Sequence, residues 1–267
     1  MPEGDTVWLT AHRLNTALRG RPLTLADFRV PSLATADLVG RTVTEVLARG
    51  KHVLTRLDDD LTLHSHLQMD GSWYLSAAGV PAPRQHSEHL IRVLLGNADW
   101  VATGYRIHDL QLLRRREEVR VVGHLGPDLL GPDWDPHAAV ANLTARPDVA
   151  IGEALLDQRN LAGIGNLYKC EVLFIEHVGP WTPVGGVPDL LALVGTAHRL
   201  LRMNRDHPEQ STTGLLGRGR DHWVYERGGQ PCRRCRTPIR RAEQGAAPRA
   251  RSTYWCPTCQ PGSGPVG

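Results

Sequence analysis

The chain has 267 residues, 41% hydrophobic and 22% charged, with a formal net charge of +3. That composition excludes a disordered or fibrous chain; no apolar run nears the roughly 18 residues of a membrane span, and no basic-then-apolar leader is present, so a cytoplasmic protein is expected. The charge is unevenly placed: residues 218–251 carry ten arginines against Asp221, Glu226 and Glu243, a local balance of +7 that points to a polyanion partner.

The chain opens MPEGDT. Removal of Met1 leaves Pro2 with a free secondary amine, and α-amino groups titrate near ~7.7–8.0, so a nucleophile is available without the desolvation a lysine needs. Glu3 beside it can move protons; a frayed terminus is the ordinary alternative. A helical period follows over residues 4–18 (Val7, Leu9, Ala11, Leu14, Leu18), stopped by Gly20. Short strands are predicted at Thr42–Leu47, His52–Leu57, Leu61–His66, Ser72–Leu75, His89–Leu95 and Trp100–Thr103, broken by turn clusters such as Asp58-Asp59-Asp60. Their spacing suggests an antiparallel sandwich or barrel. Lys51 follows Gly50 at a strand start. His64 and His66 share a strand face, where packing is the stronger reading and a metal pair the weaker. Gln68-Met69-Asp70-Gly71 is a turn whose methionine is either core or a wedge for a base stack.

Past Gly126-Pro127-Asp128 the pattern turns helical, with helices predicted at 136–146, 148–160, 166–177 and 188–204. The stretch DQRNLAGIGN, 157–166, sits between two of them. Gly163 and Gly165 permit positive φ and close backbone approach, so amides at the next helix start can face a phosphate; a plain helix connection is the alternative. A Gly-rich loop over 211–220 leads to a predicted strand, Trp223–Tyr225. Then come Cys232-x2-Cys235 and, after 20 residues, Cys256-x2-Cys259. Two such knuckles close a tetrahedron around Zn²⁺ with no open position, so the metal is structural; two disulfides are the competing reading. The arginines around the knuckles are then held at fixed spacing, which phosphate recognition rewards. Cys170 reads as packing.

Taken together, the stretches MPEG, RGKHVL (49–54), HSHLQMDG (64–71), GPD (126–128), LLDQRNLAGIGN (155–166) and RSTYWCPTC (251–259) make the chain resemble the formamidopyrimidine-DNA glycosylase and endonuclease VIII family, and within it the actinobacterial endonuclease VIII branch. The resemblance implies an α+β fold: an N-terminal β-sandwich with an N-terminal helix (1–125), a helix-two-turns-helix domain (126–220), a four-cysteine zinc finger (221–262) and a disordered tail (263–267). It implies Pro2 as nucleophile on C1′ of a flipped, oxidised nucleotide, Glu3 as proton donor, and Lys51 and Arg251 in the elimination steps and on phosphate. Gln68 and Met69 fill the gap in the duplex, and Asn166 and His124 contact DNA. One structural Zn²⁺, bound by Cys232, Cys235, Cys256 and Cys259, and no catalytic metal are expected. The partner is damaged DNA, double- or single-stranded, met by a monomer at the nucleoid and not at a membrane.

The chain departs from its relatives at three places. Thr6 stands where they commonly carry a carboxylate, His124 where an arginine contacts DNA, and Asp70 places an anion in the turn that enters the stack. A scaffold that binds damaged or gapped DNA with weak or no catalysis is therefore the alternative to a bifunctional glycosylase and lyase favouring oxidised pyrimidines.

Overall fold

The computed structural model describes residues 2–80, 87–217, 219–248, 250–262 and 264. Met1, Arg218, Arg249 and the expected tail apart from Gly264 lie outside the described residues. The chain divides into two compact units, residues 1–124 and 125–267.

In the first unit, α1 (Gly4–Leu18) places Val7, Ala11, Leu14 and Leu18 on one stripe, and all four join the core. Beyond it run β1 (Leu25–Phe28), β2 (Val43–Arg49), β3 (His52–Leu57), β4 (Leu61–His66), β5 (Ser72–Ala77), β6 (Ile91–Gly96), β7 (Trp100–Tyr105), β8 (Asp109–Arg114) and the single-turn α2 (Val119–Val122). They form two four-stranded sheets, β1-β6-β7-β5 and β2-β3-β4-β8, antiparallel throughout. Val53 and Leu63 of one sheet and Val93 and Ala102 of the other meet in a single core with α1, the sandwich the strand spacing predicts. The structure adds two strands. In β1 (LADF) and β8 (DLQLLR) the alternation is too short or too broken to read, and pairing with β6 and β4 forms them. β8 matters to function because its register sets Asp109 opposite His66 and Gln111 opposite His64.

The second unit contains α3 (Pro136–Thr144), α4 (Ile151–Ala154), α5 (Asn166–Ile175), α6 (Leu190–Asn204) and the hairpin of β9 (Arg240–Gln244) and β10 (Arg251–Trp255). Asp135 and Asp189 cap α3 and α6, accepting from amides one turn ahead. The helix predicted over 148–160 shrinks to the single turn of α4. Asp157 bends the chain after it, accepting from the Arg159 amide at 3.1 Å, while the Asn160 side chain donates to Ala154 O at 2.8 Å. The strand predicted at Trp223–Tyr225 is also absent, because its three amides are all spent on the Glu171 carboxylate. No helix among the described residues is long and apolar enough to cross a membrane.

Candidate functional site

Pro2 is half-buried and Glu3 is at 0% exposure, where it forms the N-cap position of α1. Asp5, in the same first turn, is also buried, and Thr6 is half-buried. Two carboxyl groups thus sit inside the protein within the first five residues of the chain. The sequence marks Glu3 but gives no reason to bury Asp5.

Lys51 occupies the two-residue turn between β2 and β3, where Gly50 takes φ +57. The same turn starts a cluster the sequence only half displays. His52 Nδ1 lies 2.8 Å from His64 Nε2, and the His52 ring meets His66 edge-on at 4.8 Å and His124 edge-on at 6.5 Å. Burial, then the His66 charge, pushes His52 down to about 3, so it is neutral at physiological pH; burial also lowers His64 and His66, against the pull of Asp109. His64 and His66 are therefore on one strand as expected, but the third and fourth imidazoles come from residues 52 and 124.

Past β4 the chain turns through Gln68, whose φ is +52 and whose amide donates to His66 Nδ1 at 3.0 Å. Met69 stands at the tip, 61% exposed, which sets aside the core alternative for it. Asp70 is not a bare anion: Arg106 lies 3.5 Å from its carboxylate.

In the second unit the turn before α5 is clipped by one side chain. Gln158 accepts from the Gly163 amide and donates to the carbonyls of Leu156 and Ile164, each at 3.0 Å. Gly163 takes φ +104 as expected, but Gly165 is at φ −130, so only one of the two glycines needs a left-handed backbone. The GPD stretch docks on this turn, Gly126 N donating to Gln158 O and Ala162 N to Pro127 O, both at 2.9 Å. A Cβ at Gly126 would lie 2.4 Å from Arg159 O, which is why two distant motifs need a glycine where they meet. Asn166 then opens α5. It is buried, donates to Ser252 O at 2.8 Å, and its Oδ1 has no hydrogen-bond partner among the described residues. Ser252 follows Arg251, the exposed first residue of β10, so the helix start and the hairpin edge are adjacent.

Not every arginine of the basic block is available to a polyanion. Arg227 is buried and donates to Trp223 O and Pro231 O; Arg233 donates to His222 O; Arg234 stacks 4.5 Å over the Phe174 ring and donates to His177 Nε2. Of these three only Arg234 reaches α5, through Phe174, and it remains exposed, as are Arg236, Arg240 and Arg251. Their fixed spacing suits phosphate.

Glu171 is the residue the sequence analysis missed. At 0% exposure it accepts from the amides of Trp223, Val224 and Tyr225, each at 2.8 Å, and from the Thr212 hydroxyl. Its signal is a charge on a helix otherwise buried all round. Removing it strands three amide donors, one buried and two part-buried, so Glu171→Ala should cost roughly 3–5 kcal/mol, read as a lower urea midpoint. An unchanged midpoint would mean the 211–225 loop is not anchored there.

The four zinc-type cysteines converge: their Sγ atoms all lie within 4.8 Å of one another, with Cys235–Cys256 at 3.4 Å and Cys232–Cys259 at 3.9 Å. A tetrahedron with Zn–S near ~2.3 Å requires S···S of about 3.8 Å, whereas a disulfide requires about 2.05 Å, so the group fits zinc and not two disulfides. Burial pushes Cys256 and Cys259 up and hydrogen bonds from Thr237 bring Cys235 down to about 6. Four thiolates side by side need a cation. Cys170 is buried in the adjoining cluster with Phe174, Val224 and Ile239, as the packing reading expects.

Residues 1–109 match the formamidopyrimidine-DNA glycosylase N-terminal domain, and residues 229–262 match the zinc finger found in FPG and IleRS. The chain is 58% identical to a Streptomyces coelicolor protein named probable endonuclease 8 2, over 99% of this chain and 96% of that one. It is 47% identical to a Mycolicibacterium smegmatis protein named DNA-(apurinic or apyrimidinic site) lyase Nei2, over 98% of this chain and 100% of that one. A solved Lactococcus lactis Fpg, in complex with DNA containing N7-benzyl-Fapy-dG, shares the fold at TM-score 0.80 and 22% identity, over 98% of this chain and 100% of that one.

Proposed function

Because the chain belongs to the formamidopyrimidine-DNA glycosylase and endonuclease 8 family, we propose that it is a bifunctional DNA glycosylase and abasic-site lyase of base excision repair, with Pro2 as its nucleophile. The observation that carries the reading is Glu3, a fully buried carboxyl one residue from Pro2 at the start of α1. An acid in that place has one evident use: to protonate the deoxyribose ring oxygen as Pro2 nitrogen attacks C1′. The base leaves and an iminium forms. The iminium acidifies C2′; loss of that proton expels the 3′ phosphate, and a second elimination releases the 5′ phosphate.

The other roles extend the same reading. Lys51, on its tight turn, and Arg251, exposed at the start of β10, serve phosphate and the eliminations; Asn166 takes phosphate at the α5 start. Met69, exposed at its loop tip with Gln68 beside it, fills the place of the extruded nucleotide, and His124 contacts the strand. We assign residues 1–125 to catalysis, 126–220 to the helical DNA grip and 221–262 to the zinc finger. The substrates are oxidised bases, pyrimidines favoured, met by a monomer on cytoplasmic DNA. No step calls on a metal beyond the structural zinc.

Incubation with an abasic-site oligonucleotide and borohydride tests the proposal. A covalent protein–DNA adduct and strand cleavage are expected. Tight binding without either leaves a DNA-binding scaffold and overturns the enzyme reading.

A further inference from the structure

The inner half of the histidine cluster is formed by His52 and His64. His64 is 1% exposed, and its Nδ1 has no hydrogen-bond partner among the described residues; Asp109 Oδ1, which accepts from Gln111 Nε2 at 2.9 Å, lies 3.9 Å from it. With both rings neutral, the 2.8 Å contact between His52 and His64 uses one proton, and one of the two outer ring nitrogens is left as a bare lone pair. If the lone pair is on His64 Nδ1, it faces a carboxylate across a buried gap. If it is on His52 Nε2, the pair presents an acceptor in the midst of Lys51, His66 and His124. The second tautomer already aims His64 Nδ1–H at Asp109, and it is an anion docked at the outward lone pair that would make it unfavourable; one added proton then leaves His64 Nδ1–H toward Asp109, the inner proton shared, and His52 Nε2–H pointing outward as a donor.

We propose that the His52–His64 pair, backed by Asp109, is a proton-loaded phosphodiester site: it takes up one proton when a DNA phosphate docks beside Lys51. The inference rests on the DNA-repair reading and deepens it. Without DNA the pair stays neutral, because burial, His66, His124 and Lys51 all disfavour a further positive charge on His52. The groups facing it are Lys51 on its own turn, Arg49 opposite it on β2, His64 and His66 on β4, Asp109 on β8 and His124. Of these only Asp109 is negative. A docked phosphate supplies the missing anion, raises the proton affinity of the pair and converts a buried dipolar contact into a charge-assisted one. The linkage sign is fixed. A group whose pKa is higher in the complex strengthens binding below that pKa, and the gain is lost as pH rises through it.

The test uses DNA carrying a tetrahydrofuran abasic analogue, which has no aldehyde for Pro2 to attack, so chemistry does not intervene. Titration calorimetry in two buffers of different ionisation heat, between pH 5.5 and 8, counts protons taken up per DNA bound. Wild type should take up close to one, and its affinity should rise up to about tenfold per pH unit lowered. His52→Gln, which keeps a hydrogen-bonding side chain and cannot ionise, should abolish the uptake and flatten the pH dependence. Asp109→Asn, a shape-conserving change at a side chain 34% exposed, should reduce it. Equal thermal midpoints of variants and wild type at pH 8 show that folding is intact. Wild-type binding with no proton uptake, or uptake unaltered by His52→Gln, overturns the inference and leaves the enzyme reading standing. Failure of wild type to bind overturns both.

Discussion

Stripping zinc with a chelator should unfold the C-terminal hairpin and abolish DNA binding, while the sandwich of residues 2–124 stays folded. The hairpin's own core is small. Cys232, Cys256 and Ile239 pack with Phe174, Val224 and Cys170, and two of those six are themselves metal ligands. So little apolar surface cannot offset the entropy of ordering some thirty residues, and the metal supplies the difference, on the order of 10–16 kcal/mol in isolated zinc modules. The effect reaches the groups proposed to bind DNA through the contacts of β10 with α5, Asn166 donating to Ser252 O and Lys169 Nζ to the Thr253 hydroxyl, so melting β10 frees the start of α5 and scatters Arg240 and Arg251. Cys256→Ser should reproduce the chelator result without a chelator. Hydrogen exchange separates the regions, with protection lost in 229–260 and retained in β3 and β4. Full DNA affinity in metal-free protein would show that zinc is dispensable.

Glu3→Gln should lower base excision by roughly 10²–10⁴-fold, about 3–5 kcal/mol of barrier, while leaving lyase activity on a preformed abasic site. The two halves of the reaction ask different things of this carboxyl. Excision requires the closed sugar ring to open, and the ring oxygen needs a proton at that moment. A preformed abasic site already populates the open aldehyde, so the amine condenses without that acid. Glutamine fills the same buried space and keeps hydrogen-bonding capacity, so the fold is preserved, but it has no proton to give. Pro2→Gly should remove borohydride trapping on both substrates, since a primary amine on a flexible residue loses the ring that fixes the nitrogen's direction. Mass spectrometry of the intact protein gives the control: retained Met1 or an acylated amine predicts the same loss in wild type. If Glu3→Gln abolished both activities equally, the carboxyl would serve amine condensation rather than ring opening.

Sequence alone determined the parts whose chemistry is local. The period of α1, the span of β3 and β4, and the Cys-x2-Cys pairs are legible because side-chain alternation and metal-ligand spacing act over a few residues. Gly163 is legible for the same reason, since a left-handed turn excludes most other residues. Tertiary structure decided the rest. β1 and β8 exist because neighbouring strands complete their hydrogen bonds, not because their residues alternate. The Trp223–Tyr225 segment looks like a strand, but a carboxylate 52 residues earlier offers its amides a charged acceptor and overrides the propensity. The arginine block reads as one basic patch, yet Arg227 is buried, and Arg233 and Arg234 are tied to a carbonyl and an aromatic ring. The histidine cluster is clearest of all: residues 52, 64, 66, 109 and 124 have no spacing in common. Only the pairing of β3 with β4 and of β4 with β8 brings His52, His64, His66 and Asp109 together, because register, not sequence distance, sets which side chains become neighbours across a sheet.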